Sequence, residues 1–258
     1  YAGQTLGTGN AENNTLILKG GAGGGYFYGG WSNQGNATGN TVILSGTSTG
    51  ATDNGLYGGF SNNPGADVTT GNTLRVTTKD NYAYGIANFE KMQFDLGTGI
   101  SNGDTMVRVQ QTSFGLPQTF DWTKIGVTGD ADWVAGGTGS RRVTLYDGYP
   151  LTLNNYGITG TISGDYEYGL NTNTTTPTLT SVSAGKVYFD VNQFKNAEVT
   201  YNSVPSGVTR IFAGTSTLGN TTRNNTLILD GVHFPYVYAQ GGYTQSVTGD
   251  AKDNTVII

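Results

Sequence analysis

The stretch FYGGWSNQGNATGNTVIL, Phe27 to Leu44, holds the plan of the chain. An aromatic pair runs into two glycines, a polar Gly/Asn/Thr spacer follows, and Asn-Thr opens a run of aliphatic residues. The phrase returns as LYGGFSNNPGADVTTGNTLRV (Leu56 to Val76), as IFAGTSTLGNTTRNNTLIL (Ile211 to Leu229) and as VYAQGGYTQSVTGDAKDNTVII (Val237 to Ile258). Thr15, Thr41 and Thr73, and later Thr226 and Thr255, mark steps of about 26, 32 and 29 residues, the range in which one supersecondary unit is copied along an axis. One copy cannot bury its own apolar face, so copies stack, and like residues fall into ladders.

Within each copy the aliphatic residues alternate: Leu16/Leu18, Val42/Leu44, Leu74/Val76, Leu227/Leu229 and Val256/Ile258. That two-residue period predicts half-buried strands with these pairs facing the core. The residue between them is Arg75 in one copy, and an unpaired guanidinium is too costly for a routine core position, so this position points outward. Asn14, Asn40, Asn72, Asn225 and Asn254 are expected at a corner, because Asn tolerates left-handed backbone and bonds its own local backbone. The pairs Gly29-Gly30, Gly58-Gly59 and Gly241-Gly242 are expected to make a second tight corner.

Composition agrees. Of 258 residues 42 are Gly and only 12% are charged, a profile foreign to helical domains, while 11% aromatic residues are too many for simple disorder. The expectation is an all-β, single-stranded parallel β-helix (β-solenoid) with little helix; ANFEKMQF, Ala87 to Phe94, reads as well as a strand. It is expected as one continuous body: regular repeats over 1–96, irregular coils over 97–207, regular repeats over 208–258. The Gly/Asn/Thr-dense segment 156–177 predicts a hairpin or long loop leaving the coil.

A net charge of -5 without a basic cluster longer than Arg141-Arg142 argues against nucleic acid and anionic membrane as partners. No run approaches the roughly 20 apolar residues of a membrane span, so membrane insertion is not expected. Zero cysteines exclude a disulfide framework and thiolate metal sites. With the single histidine His233 before a proline-containing loop, neither a His-based metal site nor a Ser-His-Asp arrangement is expected. No metal and no cofactor is anticipated. The start at Tyr1 and the close in mid-strand predict a segment of a longer protein.

The repeats, the phrase GIANFEKMQFDL (Gly85 to Leu96) followed by NGDTMVRV (Asn102 to Val109), and the later FKNAEVTYNSV, RIFAGTS and NNTLILDG are similar to passenger segments of very large autotransporter-type (type V secreted) surface adhesins. Such proteins are carried by fusobacteria and other Gram-negative bacteria. The resemblance covers most of the chain. It implies a right-handed β-helix displayed on the bacterial cell surface and anchored in the outer membrane through a C-terminal β-barrel that this sequence does not contain. It implies a mostly adhesive role, with a host-cell or bacterial surface protein or glycan as partner and neighbouring coils of the same polypeptide stacked on the ends.

Parallel β-helices also host polysaccharide lyases and glycosidases, which need carboxylates converging on one groove with a nearby cation. The candidates are Asp121, Asp130, Asp132, Asp165, Glu167 and Asp190, with Arg141 or Arg142. Asp130 and Asp132 would share one strand face, although their turn-prone surroundings favour a solvated turn. Tyr28, Tyr57, Tyr238 and Phe212 recur at one place in the phrase, with Trp31, Phe60 and Tyr243 after the glycines, and are expected to stack as a ladder rather than serve as a platform for sugar rings. Trp122, Trp133, Tyr166 and Tyr168 stand outside the repeats as candidate ligand contacts. The favoured function is a non-enzymatic adhesin or stalk module; a carbohydrate-active enzyme and a purely structural spacer are the alternatives.

Overall fold

Thr followed by alternate aliphatics makes strands because β-branched residues fit a pleated surface buried on one face. The structure, a computed structural model, describes residues 1–21, 24–46, 54–110, 118–129, 140–157, 159–174, 181–203, 208–231, 237–245 and 248–258. Asp130, Asp132, Trp133 and His233 lie outside the described residues. The strands are β1 (Gly3–Thr5), β2 (Thr15–Leu18), β3 (Gly25–Ser32), β4 (Thr41–Leu44), β5 (Asn54–Ser61), β6 (Thr73–Val76), β7 (Asn81–Ala83), β8 (Gly85–Ala87), β9 (Lys91–Asp95), β10 (Thr105–Val109), β11 (Thr119–Asp121) and β12 (Ile125–Thr128). They continue with β13 (Arg141–Asn154), β14 (Thr159–Ser163), β15 (Tyr166–Thr172), β16 (Ser181–Gln193), β17 (Glu198–Tyr201), β18 (Arg210–Ser216), β19 (Thr222–Arg223), β20 (Thr226–Leu229), β21 (Tyr238–Thr244), β22 (Ala251–Lys252) and β23 (Thr255–Ile257). Among the described residues helix is limited to one 3-10 turn, Trp122–Lys124. The protein is an all-β solenoid of parallel stacked strands, as the repeats predict.

The chain divides into two units. The first comprises Tyr1–Asp132, Val143–Gly157 and Thr172–Tyr188; the second comprises Trp133–Arg142, Ile158–Asn171 and Phe189–Ile258. In the first unit β1, β3, β5 and β8 stack in parallel, as do β2, β4, β6, β9 and β12, with Thr15, Thr41, Thr73 and Lys91 in register. β7, β10 and β13 form a third parallel face, so coiling persists beyond residue 97 although the phrase is gone. In the second unit β17, β20 and β23 stack in parallel, and β18 pairs with β21. The hairpin expected within 156–177 is there: β14 and β15 are antiparallel, joined by Gly164 and Asp165, and Gly164 supplies the positive φ of 58° that a two-residue loop needs.

The core follows the alternation. Val42, Leu74, Val76 and Leu227 are fully buried, while Arg75 lies outside, paired with Asp95 at 2.6 Å. Two local expectations are corrected. The left-handed corner residue is the one before each strand-entry Asn: Asn13, Gly39, Gly71, Asn224 and Asp253 all have φ between 53° and 73°. The strand-entry Asn itself turns inward. Asn40, Asn72 and Asn225 are completely buried. The Asn14 amide N–H donates to Asn40 Oδ1 (3.0 Å), that of Asn40 to Asn72 Oδ1 (2.8 Å), and that of Asn225 to Asn254 Oδ1 (3.1 Å). Each coil thus passes a hydrogen bond to the next through a side chain, satisfying backbone groups that the corner takes out of the sheet.

The glycine pairs are not corners either; they sit in mid-strand in β3, β5 and β21. Their task is to make room for that Asn. A Cβ on Gly30 would lie 2.6 Å from Asn40 Nδ2, and one on Gly59 would lie 2.8 Å from Asn72 Nδ2 and 2.1 Å from the Ala37 carbonyl. Gly and Asn in the phrase are two halves of one packing device.

Candidate functional site

In the second unit, strand alternation sends Glu167, Gly169 and Asn171 of β15 to one face, beside Asp190 and Asn192 of β16. β15 runs antiparallel to this part of β16: the Phe194 N–H donates to the Asp165 carbonyl, and further along Asn171 Nδ2 donates to Asp190 Oδ2 at 3.3 Å. Gly160 of β14 stands opposite Gly169, leaving a recess that Leu218 covers. Two carboxylates among the sequence candidates, Glu167 and Asp190, therefore meet at one recess, and both are nearly fully buried.

Their hydrogen bonds decide what they do. Asp190 receives Arg142 Nε on Oδ1 (2.6 Å) and the second Arg142 donor on Oδ2 (2.8 Å), a bidentate pair. Arg142, not Arg141, is the cation; Arg141 is half-buried, and loss of hydration pushes its pKa down. Among the described residues Glu167 pairs with no cation. Its Oε1 accepts from the Thr217 amide N–H, the Thr217 hydroxyl (3.0 Å) and Asn192 Nδ2 (3.3 Å), and its Oε2 from the Ser216 hydroxyl (2.9 Å) and Asn220 Nδ2 (2.8 Å). Five donors on four lone-pair sites leave neither oxygen free to meet a substrate. The free space between these groups is about 10 Å³, one water position. This recess is a polar clamp joining β15 to the coil around residues 216–220.

The other candidates are dispersed. Asp165 sits in the hairpin turn and accepts from Asn196 Nδ2 (2.9 Å). Asp121, in the first unit, caps the 3-10 turn; the Thr123 hydroxyl, then the Thr123 and Asn155 N–H donors, hold its carboxyl below the usual range. Trp122 is buried edge-on against Tyr156 (4.9 Å), and Tyr168 packs on Phe189 beside the recess. Tyr166 opens β15 opposite Ser163.

The aromatic ladder forms on the outer face of β3 and β5. Tyr1, Tyr28 and Tyr57 stack at 5.2 and 4.9 Å, flanked by Tyr26, Trp31 and Phe60. In the second unit the equivalence fails. Tyr238 stands in register with Arg210 and is 70% exposed, whereas Phe212 stacks on Tyr243 at 4.6 Å. Partial burial first, then the neighbouring Tyr28 and Tyr26, push the Tyr57 phenol from 10.0 to about 12. Its folded form keeps a proton that the unfolded chain loses from pH 10, so stability is expected to fall as pH rises from 10 to about 12, and to level off above. Urea midpoints across that window test this, and an identical decline in Tyr57→Phe would exclude Tyr57 as the cause.

Missed by the sequence reading was a groove on the outer face of the first unit. Thr73, Arg75, Lys91, Gln93, Asp95 and Lys124 line it, and its signal was the same alternation that placed Arg75 outside. Comparison with known proteins gives no match: no protein-family model, no curated protein and no solved structure aligns with this chain.

Proposed function

We propose that this chain is a non-enzymatic module of a bacterial cell-surface adhesin of autotransporter type, a rigid coil that displays its outer faces to a surface glycan or protein. The observation that carries this reading is a division of labour along the repeats. Interior positions repeat as Asn, Gly and aliphatic ladders, while the outward position between the aliphatics runs from Ile17 through Ile43 to Arg75 and Gln93. A coil with a constant interior and a variable exterior suits display. The saturated carboxylates of the second unit weigh against turnover there.

The test is a panel of glycans and cell surfaces probed with the purified chain, run beside depolymerisation assays on acidic and neutral polysaccharides. Binding without product release is expected. Product release that disappears in Asp130→Asn/Asp132→Asn would overturn the reading in favour of a carbohydrate-active enzyme. Binding to nothing on the panel would reduce the module to a spacer.

A further inference from the structure

We infer that the outer face of β6, β9 and β12 is a binding groove for an acidic oligosaccharide, a glycan carrying sulfate or uronate groups. The groove is open to solvent and offers about 630 Å³ in the first unit, room for several sugar rings. Arg75 lies on β6, Lys91 on β9 and Lys124 just before β12, so positive charges step across adjacent strands about 4.8 Å apart.

Three features give the groove its sign. First, Arg75 pairs with Asp95 and Lys124 with Glu90, but in each pair the cation is the more exposed partner, 48% against 21% and 42% against 31%. The carboxylates sit beneath and the cations face the solvent. Second, Lys91 makes no salt bridge among the described residues and shares the field of Glu90 with Lys124, so three cations stand over two carboxylates, Asp95 and Glu90. Third, all this occurs on a chain of net charge -5, so the local excess is not a by-product of a basic protein.

Neutral recognition is supplied around the charges. Gln93 lies across Gly126, where a Cβ would come within 2.4 Å of its Oε1, and the Gln93 amide has no hydrogen-bond partner among the described residues. Hydroxyls of Thr73 and Thr128 stand on either side, and no large apolar side chain lines the groove. That combination complements a ligand with a hydroxyl on every ring and an anion at intervals; the outward Ile17 and Ile43 lie beyond Arg75 on β2 and β4 and outside the lining, so the apolar groups of an acidic peptide find no seat among the cations. Exposed cations of this kind act in screened solvent, so affinity is modest and falls with salt.

This inference deepens the proposed adhesive role and rests on it only in that the module binds without cleaving. The experiment is titration calorimetry of the whole chain with a heparin octasaccharide, a hyaluronan oligosaccharide and a neutral dextran oligosaccharide at low ionic strength. At least one acidic oligosaccharide is expected to bind and dextran not to. Lys91→Gln/Lys124→Gln is expected to weaken binding about tenfold, with an unchanged urea midpoint since both side chains are on the surface. No binding of either acidic oligosaccharide, or equal binding by the double variant, overturns the groove. So does full competition by inorganic sulfate at matched ionic strength, which would mark a general anion site. Shorter products in the calorimeter cell would instead overturn the non-enzymatic reading and leave the groove standing.

Discussion

Asn72→Ala is expected to lower the stability of the first unit by about 4 kcal/mol, because one truncation strands several buried groups at once. The Asn72 side chain accepts from the Asn40 amide N–H (2.8 Å) and Asn40 Nδ2 (3.2 Å), and its own Nδ2 donates to the carbonyls of Ala37 (2.9 Å) and Val68 (2.6 Å). Asn40 and Asn72 are completely buried, and of these bonds only the one to Val68 is partly open, so solvent replaces few of the lost partners. The control is Asn10→Ala, which removes two exposed bonds, its donation to Glu12 and its acceptance of the Asn36 N–H, groups that water can take over, and should change stability by about 1 kcal/mol or less. Urea unfolding measures the difference, and hydrogen exchange at the Asn40 amide reads it locally. A shift no larger than that of Asn10→Ala would show that the Asn ladder is an ornament of the repeat and not its fastening.

The second large effect is expected at Glu167, where the two replacements should differ. Glu167→Ala strips five donors of their common acceptor in a half-buried recess and is expected to cost about 4 kcal/mol. Glu167→Gln can keep its carbonyl toward the Thr217 amide and turn its NH2 toward the Ser216 hydroxyl, which can rotate to accept, so the loss should be about 2 kcal/mol. Chemical denaturation of the two variants gives the ordering. Should Gln match wild type in stability while some catalytic activity vanishes, the clamp would have to be reread as an active site.

Both residues show where sequence reading stops. The aliphatic alternation, the outward Arg75 and the hairpin of residues 159–172 were legible because each is decided by neighbours a few residues away. The direction of the Asn side chains was not. Asn at a turn and Asn in a core share one sequence signal, and only the stacking of copies 26 to 32 residues apart shows that the left-handed angle belongs to the preceding residue. The glycine pairs misled for the same reason, since flexibility and absence of a side chain are one property of Gly used in two ways.

Glu167 and Asp190 could be named from the sequence as carboxylates in search of a groove, but not as neighbours. Their partners lie up to 53 residues away, and the donors that saturate Glu167 are ordinary Ser, Thr and Asn residues with no motif. The aromatic ladder divides the same way. Tyr28 over Tyr57 follows from the repeat, whereas the separation of Tyr238 from Phe212 depends on the register of β18 and β21.

By itself, then, the sequence determined that this chain is a stack of β-coils with an aliphatic interior, because period and alternation are local and redundant across copies. The tertiary structure alone decided which polar residues close the core, which carboxylates are already engaged, and which outer face gathers exposed cations, because those outcomes depend on residues brought together from different coils.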